Sequence, residues 1–329
     1  MTTVHFATNR NPVPNSENPT DFGKGFSMNG LSDLRFGWAE VEGDEVKSLH
    51  TAEETADGQK IGSLTLFEAV KAEMANSQKD TIIFIHGYNT SFHNALTTAA
   101  HTKENFDNGG HPVNIVVFTW PSDGQAIPWK SYINDRHDAE ASALAFARGI
   151  LKLADFLKTG IACGQEMHLL CHSMGNYALR NSIQAMLNMQ SSLPRLFQNI
   201  FLMAADEDDD AMEVEHKLLP IIHLTKEVYI YFNRGDLALK GSDWTKGNPD
   251  RLGSNGPRYP LNLANKVTLV DCTNVVDERV GLGHSYFHED KTVVADMLAV
   301  LSGMEDDQIP NRTYDQRKNK YVLSKPLKP

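Results

Sequence analysis

Six short apolar runs recur along the chain, each rich in Ile, Val, Phe or Leu and each passing into turn-forming or acidic residues. They are TIIFIHGYN (81–89), NIVVFTWPS (114–122), MHLLCHSMG (167–175), NIFLMAADE (199–207), VYIYFNRGD (228–236) and VTLVDCTNV (267–275). Apolar runs without polar alternation are those of strands buried on both faces. Amphipathic segments lie between them. In residues 138–159, Ala143, Phe146, Ala147, Ile150, Leu153, Ala154 and Leu157 share one helical face. Alternating strand and helix predicts an α/β fold with a mainly parallel sheet covered on both sides. Ligand sites in such sheets lie beyond the C-terminal ends of the strands, so the polar residues that close these runs converge on one rim.

Outside this core the pattern is weaker. VHFATNR and RFGWAEVEG, before residue 81, read as strands, antiparallel at a sheet edge. Residues 10–30 and 240–262 are rich in Gly, Pro and Asn and read as long loops. The second exceeds the usual connection length and is expected to cover the site. Residues 304–329 lack apolar periodicity and read as a polar, mobile or surface-bound tail, leaving 1–303 as one domain with its catalytic core over 81–303.

Composition narrows the function classes. With 329 residues, 41% of them hydrophobic, the chain can bury a sizeable core. A formal charge of −11 argues against a nucleic-acid partner, and the basic residues from Arg312 to Lys328 read as part of a solvated tail. The first residues lack the basic flank and apolar centre of a signal peptide, and no apolar stretch is long enough to span a bilayer, so the expected location is cytoplasmic. Three cysteines, Cys163, Cys171 and Cys272, show no paired spacing, which speaks against a disulfide scaffold. Oligomeric state is not encoded in any recognisable pattern.

The run 167–186 carries the candidate chemistry. Ser173 follows a strand and precedes Tyr177, Leu179, Ile183 and Met186 at helical spacing. A serine on such a strand–turn–helix is held in strained geometry with its hydroxyl aimed outward. The residues two before and two after it must be small. Gly175 satisfies this, while Cys171 stands where glycine is usual, making the motif C-x-S-x-G. The Met174 amide at the start of the helix would face an oxyanion. A second donor is expected from Tyr88, in the turn HGYN at 86–89, with His86 holding that turn by hydrogen bonding rather than acting in catalysis. Trp120 and Ser122, in TWPSDG, are expected to line the pocket, although Pro121 and Gly124 also suit a plain turn.

A serine nucleophile needs a base and an acid to orient it. His284, between glycine-rich turns in GLGHSYF, is the best placed of the histidines. Two acids follow the serine strand: Asp206, at the end of the next strand, and Asp236, at the end of the one after. Both fit the chain order Ser, Asp, His, and Asp236 is preferred because the strand after next is the commoner acid position. Asp206 also opens DEDDD, which reads as a solvated acidic cluster, since contiguous acids lack the spacing of a calcium loop. His168, Cys171 and His172 lack the further ligands of a zinc site, and no phosphate-binding glycine motif is present, so no metal and no cofactor are expected.

With HGY, CHSMG, RGD and GH closing successive strands over about residues 80–300, the chain resembles the α/β-hydrolase superfamily. Within it, ATNR, FIHGYNTSF, FTWPS, HSMGN, AADED, RGDLAL and GHSYF are similar to a bacterial branch described only as hydrolases of unknown function. The resemblance implies an eight-stranded sheet with Ser173 as nucleophile, His284 as base and Asp236 as acid. The short segment 207–227 leaves no room for a large cap. The activity expected is hydrolysis of a small-molecule carboxylic ester through an acyl-enzyme. The alternatives are an amidase, thioesterase or acyltransferase using the same residues, or a non-catalytic binding protein of the same fold.

Overall fold

The computed structural model describes residues 1–16, 19–31, 33–53, 59, 61–122, 128–159, 163–240 and 250–326. The six apolar runs form six neighbouring parallel strands: β6 (Asp80–Ile85), β7 (Val113–Thr119), β8 (Met167–His172), β9 (Phe197–Met203), β10 (Thr225–Phe232) and β11 (Val267–Asp271). Side-chain alternation sends Ile83, Ile85, Leu169 and Cys171 to one hydrophobic layer, and Ile82, Phe84 and Leu170 to the other. Burial on both faces is why these strands lack the polar alternation of a one-sided sheet.

The N-terminal strands extend the sheet as the sequence suggests. β1 (Thr2–Thr8) runs parallel to β7 and antiparallel to β4 (Arg35–Glu42), which pairs with the edge strand β5 (Glu45–Thr51). Residues 10–30, expected to be a loop, instead hold a separate hairpin of β2 (Arg10–Val13) and β3 (Asp21–Phe26), and Phe22 packs on Phe6 of β1 with ring centroids 5.6 Å apart. Helices α1 (Gly62–Ser77), α4 (Ala143–Thr159) and α5 (Gly175–Met189) pack on one face, while α2 (Phe92–Asn108) and α6 (Lys291–Leu301) pack on the other. No helix among the described residues is long and apolar enough to cross a membrane.

The strand count and the C-terminal segment also differ from expectation. Among the described residues the sheet has eleven strands rather than eight, in the order β12 (Arg312–Asp315)-β13 (Lys320–Leu323)-β11-β10-β9-β8-β6-β7-β1-β4-β5. Its last two come from the segment read as a tail: β12 and β13 form a hairpin, and β13 runs parallel to β11. Leu323 is fully buried. Lys320 donates to the buried Asp271, and Arg312 donates to Asp296 at 2.7 Å. These two basic residues are therefore internal ion-pair partners rather than part of a solvated tail.

The DEDDD run is likewise not a solvated cluster. Asp206, Glu207 and Asp209 are buried. Arg180 pairs with Glu207, Arg251 and Lys217 with Asp208, and Arg258 with Asp209. The three arginines come from 27 to 49 residues away, so the run looks uncompensated when read locally.

Candidate active site

The turn after β8 combines a strained backbone with close packing against β6. Ser173 has φ +54°, a left-handed conformation that L-residues other than glycine seldom adopt. Its N–H donates to Met203 O at 3.0 Å, and its carbonyl accepts from Asn176 N and from the Asp206 N–H. The Asn176 carboxamide donates to Ser173 O at 2.9 Å and to Cys171 O at 3.3 Å, tying strand to helix. Sequence reasoning misses Asn176, because a buried asparagine in the first turn of a helix has no local signature.

The strictness at Gly175 is steric. A Cβ there would stand 2.5 Å from Ile85 O and 2.7 Å from His86 O, both backbone atoms. Gly175→Ala is therefore expected to displace the turn against β6, costing about 1–3 kcal/mol by overpacking, with a matching drop in the urea midpoint; an unchanged midpoint would contradict the close approach. Cys171 sits in a different space. It is fully buried in the apolar layer beneath α5, and burial pushes its thiol well above the ordinary range. Its thiol is an inert packing group at that position.

Gly87 faces Ser173 from the β6 turn, where a Cβ would come within 2.7 Å of Ser173 Cβ. His86 Nε2 accepts the Trp120 N–H at 3.1 Å, which leaves Nδ1 to donate to Gly87 O at 2.9 Å. The indole Nε1–H returns a bond to His86 O, and the two rings stack at 5.0 Å. His86 thus holds the loop, as expected. Trp120 and Ser122 do not line the pocket. Trp120 is wholly enclosed as the stacking partner of His86. Ser122 is buried, accepting the Thr90 N–H and donating to Asp135. Asp135 also accepts the Asn89 N–H, and the fully buried Arg10 donates to Thr90 O. Both residues act behind the turn that carries Tyr88, because a strand end followed by Pro121 is drawn inward under it.

A pocket of about 640 Å³ opens beside these turns, and Ser173, His284, His172, Asp206, Tyr88 and Tyr132 all reach it. Phe84, Leu237, Leu239, Leu282 and Phe287 give it apolar walls. Tyr132 belongs to α3 (Pro128–Ala141), and its ring meets Tyr88 edge-on at 5.7 Å. Of the loop expected over 240–262 to cover the site, 241–249 lie outside the described residues; the rest includes a short helix at Leu252–Asn255, and its backbone bonds to the 205–209 segment through Leu252 N to Glu207 O and Gly253 N to Ala205 O rather than lining the pocket.

His284 Nδ1 lies 2.6 Å from Asp236 Oδ2, and Asp236 is fully buried. The other carboxylate oxygen of Asp236 accepts the Leu239 N–H at 2.9 Å. Asp206 stands elsewhere: its Oδ2 accepts from Tyr132 Oη at 2.6 Å, and Arg251 Nε lies 3.7 Å from its Oδ1. Of the two candidate acids, only Asp236 contacts the imidazole.

Three further histidines at the pocket are held neutral by burial. His86 is lowered to about 3, His288 to about 4, and His172 well below its ordinary value. These groups stay neutral in the folded chain but accept protons below about 6.5 when unfolded. Their stabilisation is therefore full above that pH and is lost as pH falls towards 4. The urea midpoint is expected to drop between pH 7 and pH 5, with each such histidine contributing up to about 1.4 kcal/mol per pH unit inside its window. A midpoint constant over that interval would contradict their burial.

Against known proteins, the pattern of the family described as alpha/beta hydrolase of unknown function (DUF900) matches residues 65–301. A relative from Nostoc sp., itself uncharacterized, is 26% identical, with the match covering 50% of this chain and 54% of that protein. The chain thus spans about half the length of that relative. Among solved structures, a lipase B from Aspergillus fumigatus is 11% identical over 57% of this chain and 35% of its own, with a TM-score of 0.26. A structure described under LipS and LipT, two metagenome-derived lipolytic enzymes, is 13% identical over 60% and 84%, with a TM-score of 0.30. Phospholipase PlaB from Legionella pneumophila is 16% identical over 64% and 43%, with a TM-score of 0.28. These three are distant likenesses.

Proposed function

The chain belongs to the α/β hydrolases of unknown function (DUF900), and from that premise we propose that it hydrolyses carboxylic esters through Ser173, His284 and Asp236. One observation carries the proposal: the imidazole bonded to a buried carboxylate opens onto the same pocket as a serine held at positive φ. In this mechanism Ser173 Oγ attacks the ester carbonyl and passes its proton to His284 Nε2. Asp236 holds the Nδ1–H tautomer and stabilises the imidazolium. The Met174 and Tyr88 amides receive the oxyanion, Met174 from the helix start where backbone N–H groups lack intrahelical acceptors. The protonated His284 then gives its proton to the departing alkoxide. Water, activated by the same imidazole, attacks the acyl-enzyme and releases the acid.

The apolar walls and the neutral histidines favour an uncharged acyl group of small or medium length. A panel of p-nitrophenyl esters from acetate to palmitate tests this directly. Turnover is expected to peak between butanoate and octanoate; no turnover of any member would overturn ester hydrolysis as the activity.

A further inference from the structure

We propose that Asn233 is a positioning residue that ties the loop bearing Asp236 to the loop bearing His284. It follows β10 directly and is buried. Its Oδ1 accepts the Gly235 N–H at 2.9 Å, and its backbone carbonyl accepts the Asp236 N–H at 3.1 Å, so both ends of the residue shape the acid loop. Its Nδ2 donates to Gly283 O at 2.8 Å, in the residue immediately before His284. A single carboxamide thereby sets the two partners of the 2.6 Å Asp236–His284 bond against each other.

The base loop needs such a tie because its backbone is strained. Gly281, Leu282 and Gly283 have successive φ values of +52°, +60° and +67°. Leu282 lies in a region that L side chains rarely adopt, so the turn persists only where its surroundings hold it. A Cβ at Gly283 would meet Asn233 Nδ2 at 3.0 Å and Glu278 Cα at 3.2 Å, which shows how closely the carboxamide is fitted. His172 Nε2 lies 3.2 Å from His284 O, and Arg234 N donates to Thr273 Oγ1, so the tie works within a braced rim. Of the side chains of this size, only a carboxamide offers an acceptor for one loop and a donor for the other. An aspartate keeps the first and loses the second.

This rests on the assignment of Asp236 and His284 as acid and base, and the test separates the two. In the full chain, Asn233→Asp and Asn233→Ala are expected to lower kcat about 100-fold with KM nearly unchanged, the loss expected of a catalytic group displaced by about 1 Å. The downfield proton resonance of the His284 Nδ1–H, identified by its absence in His284→Ala, is expected to disappear or move upfield in both variants. An Asn233 variant that loses thermal stability yet keeps kcat and that resonance would overturn the positioning role. If neither variant folds, the wild-type protein decides: a nuclear Overhauser contact between the Asn233 carboxamide and the Gly283 α-protons supports the tie, and its absence overturns it. Failure of the hydrolase assignment looks different, as Ser173→Ala would then retain turnover while the resonance stayed in place.

Discussion

Ser173→Ala is expected to lower ester turnover by about 10⁴-fold or more, because removing the nucleophile leaves only the residual catalysis of oxyanion donors and substrate binding. The fold should survive. Ser173 makes its structural bonds through backbone atoms, to Met203 O, Asn176 N and Asp206 N, and alanine retains all of them. Alanine also inherits the positive φ, so the stability of the variant should stay within about 1 kcal/mol of wild type. Ser173→Gly is the informative companion. It removes the Cβ from a left-handed position, a gain of about 1–2 kcal/mol, against about 0.5–1 kcal/mol of extra unfolded-state entropy. Both variants should thus be inactive, with glycine at least as stable as alanine by urea unfolding. Retained turnover in either would remove Ser173 from the mechanism.

Asp236→Asn is expected to lower kcat about 10⁴-fold, because an amide at that position stabilises the wrong imidazole tautomer. Asp206→Asn is expected to stay within about tenfold of wild type. Its carboxylate faces Tyr132 and Arg251 rather than His284, so the substitution should appear chiefly as lost stability, about 1–3 kcal/mol, from disturbed buried hydrogen bonding. Steady-state kinetics of the two variants, each paired with a urea titration, separates these effects. Activity lost only in the Asp206 variant would reverse the assignment of the acid.

The parts of this fold that were legible in the sequence are those set by local pattern. The six central strands declare themselves because burial on both faces leaves no polar alternation. The Ser173 turn is visible through its strand–turn–helix context and Gly175. Strand position favours Asp236 over Asp206, and the structure places Asp236, and not Asp206, against His284. What was missed depends on partners far away in the chain. The hairpin of β12 and β13 is short and carries buried cations whose counter-charges, Asp271 and Asp296, precede it by 49 and 16 residues. Trp120 and Ser122 were placed in the pocket because they end a strand at the rim, but side-chain direction beyond a strand end is set by what packs there. His86 and Asp135 draw them inward. Asn176 and Asn233 escaped notice for a related reason: each bonds to backbone carbonyls, and a carbonyl acceptor leaves no mark in the sequence.

Covalent trapping tests the central claim most directly. A fluorophosphonate probe incubated with the folded protein, followed by peptide mass spectrometry, is expected to give one adduct, on Ser173, that is lost in Ser173→Ala and slowed in His284→Ala. Folded protein that takes up no probe, or takes it up at another residue, would contradict Ser173 as the nucleophile.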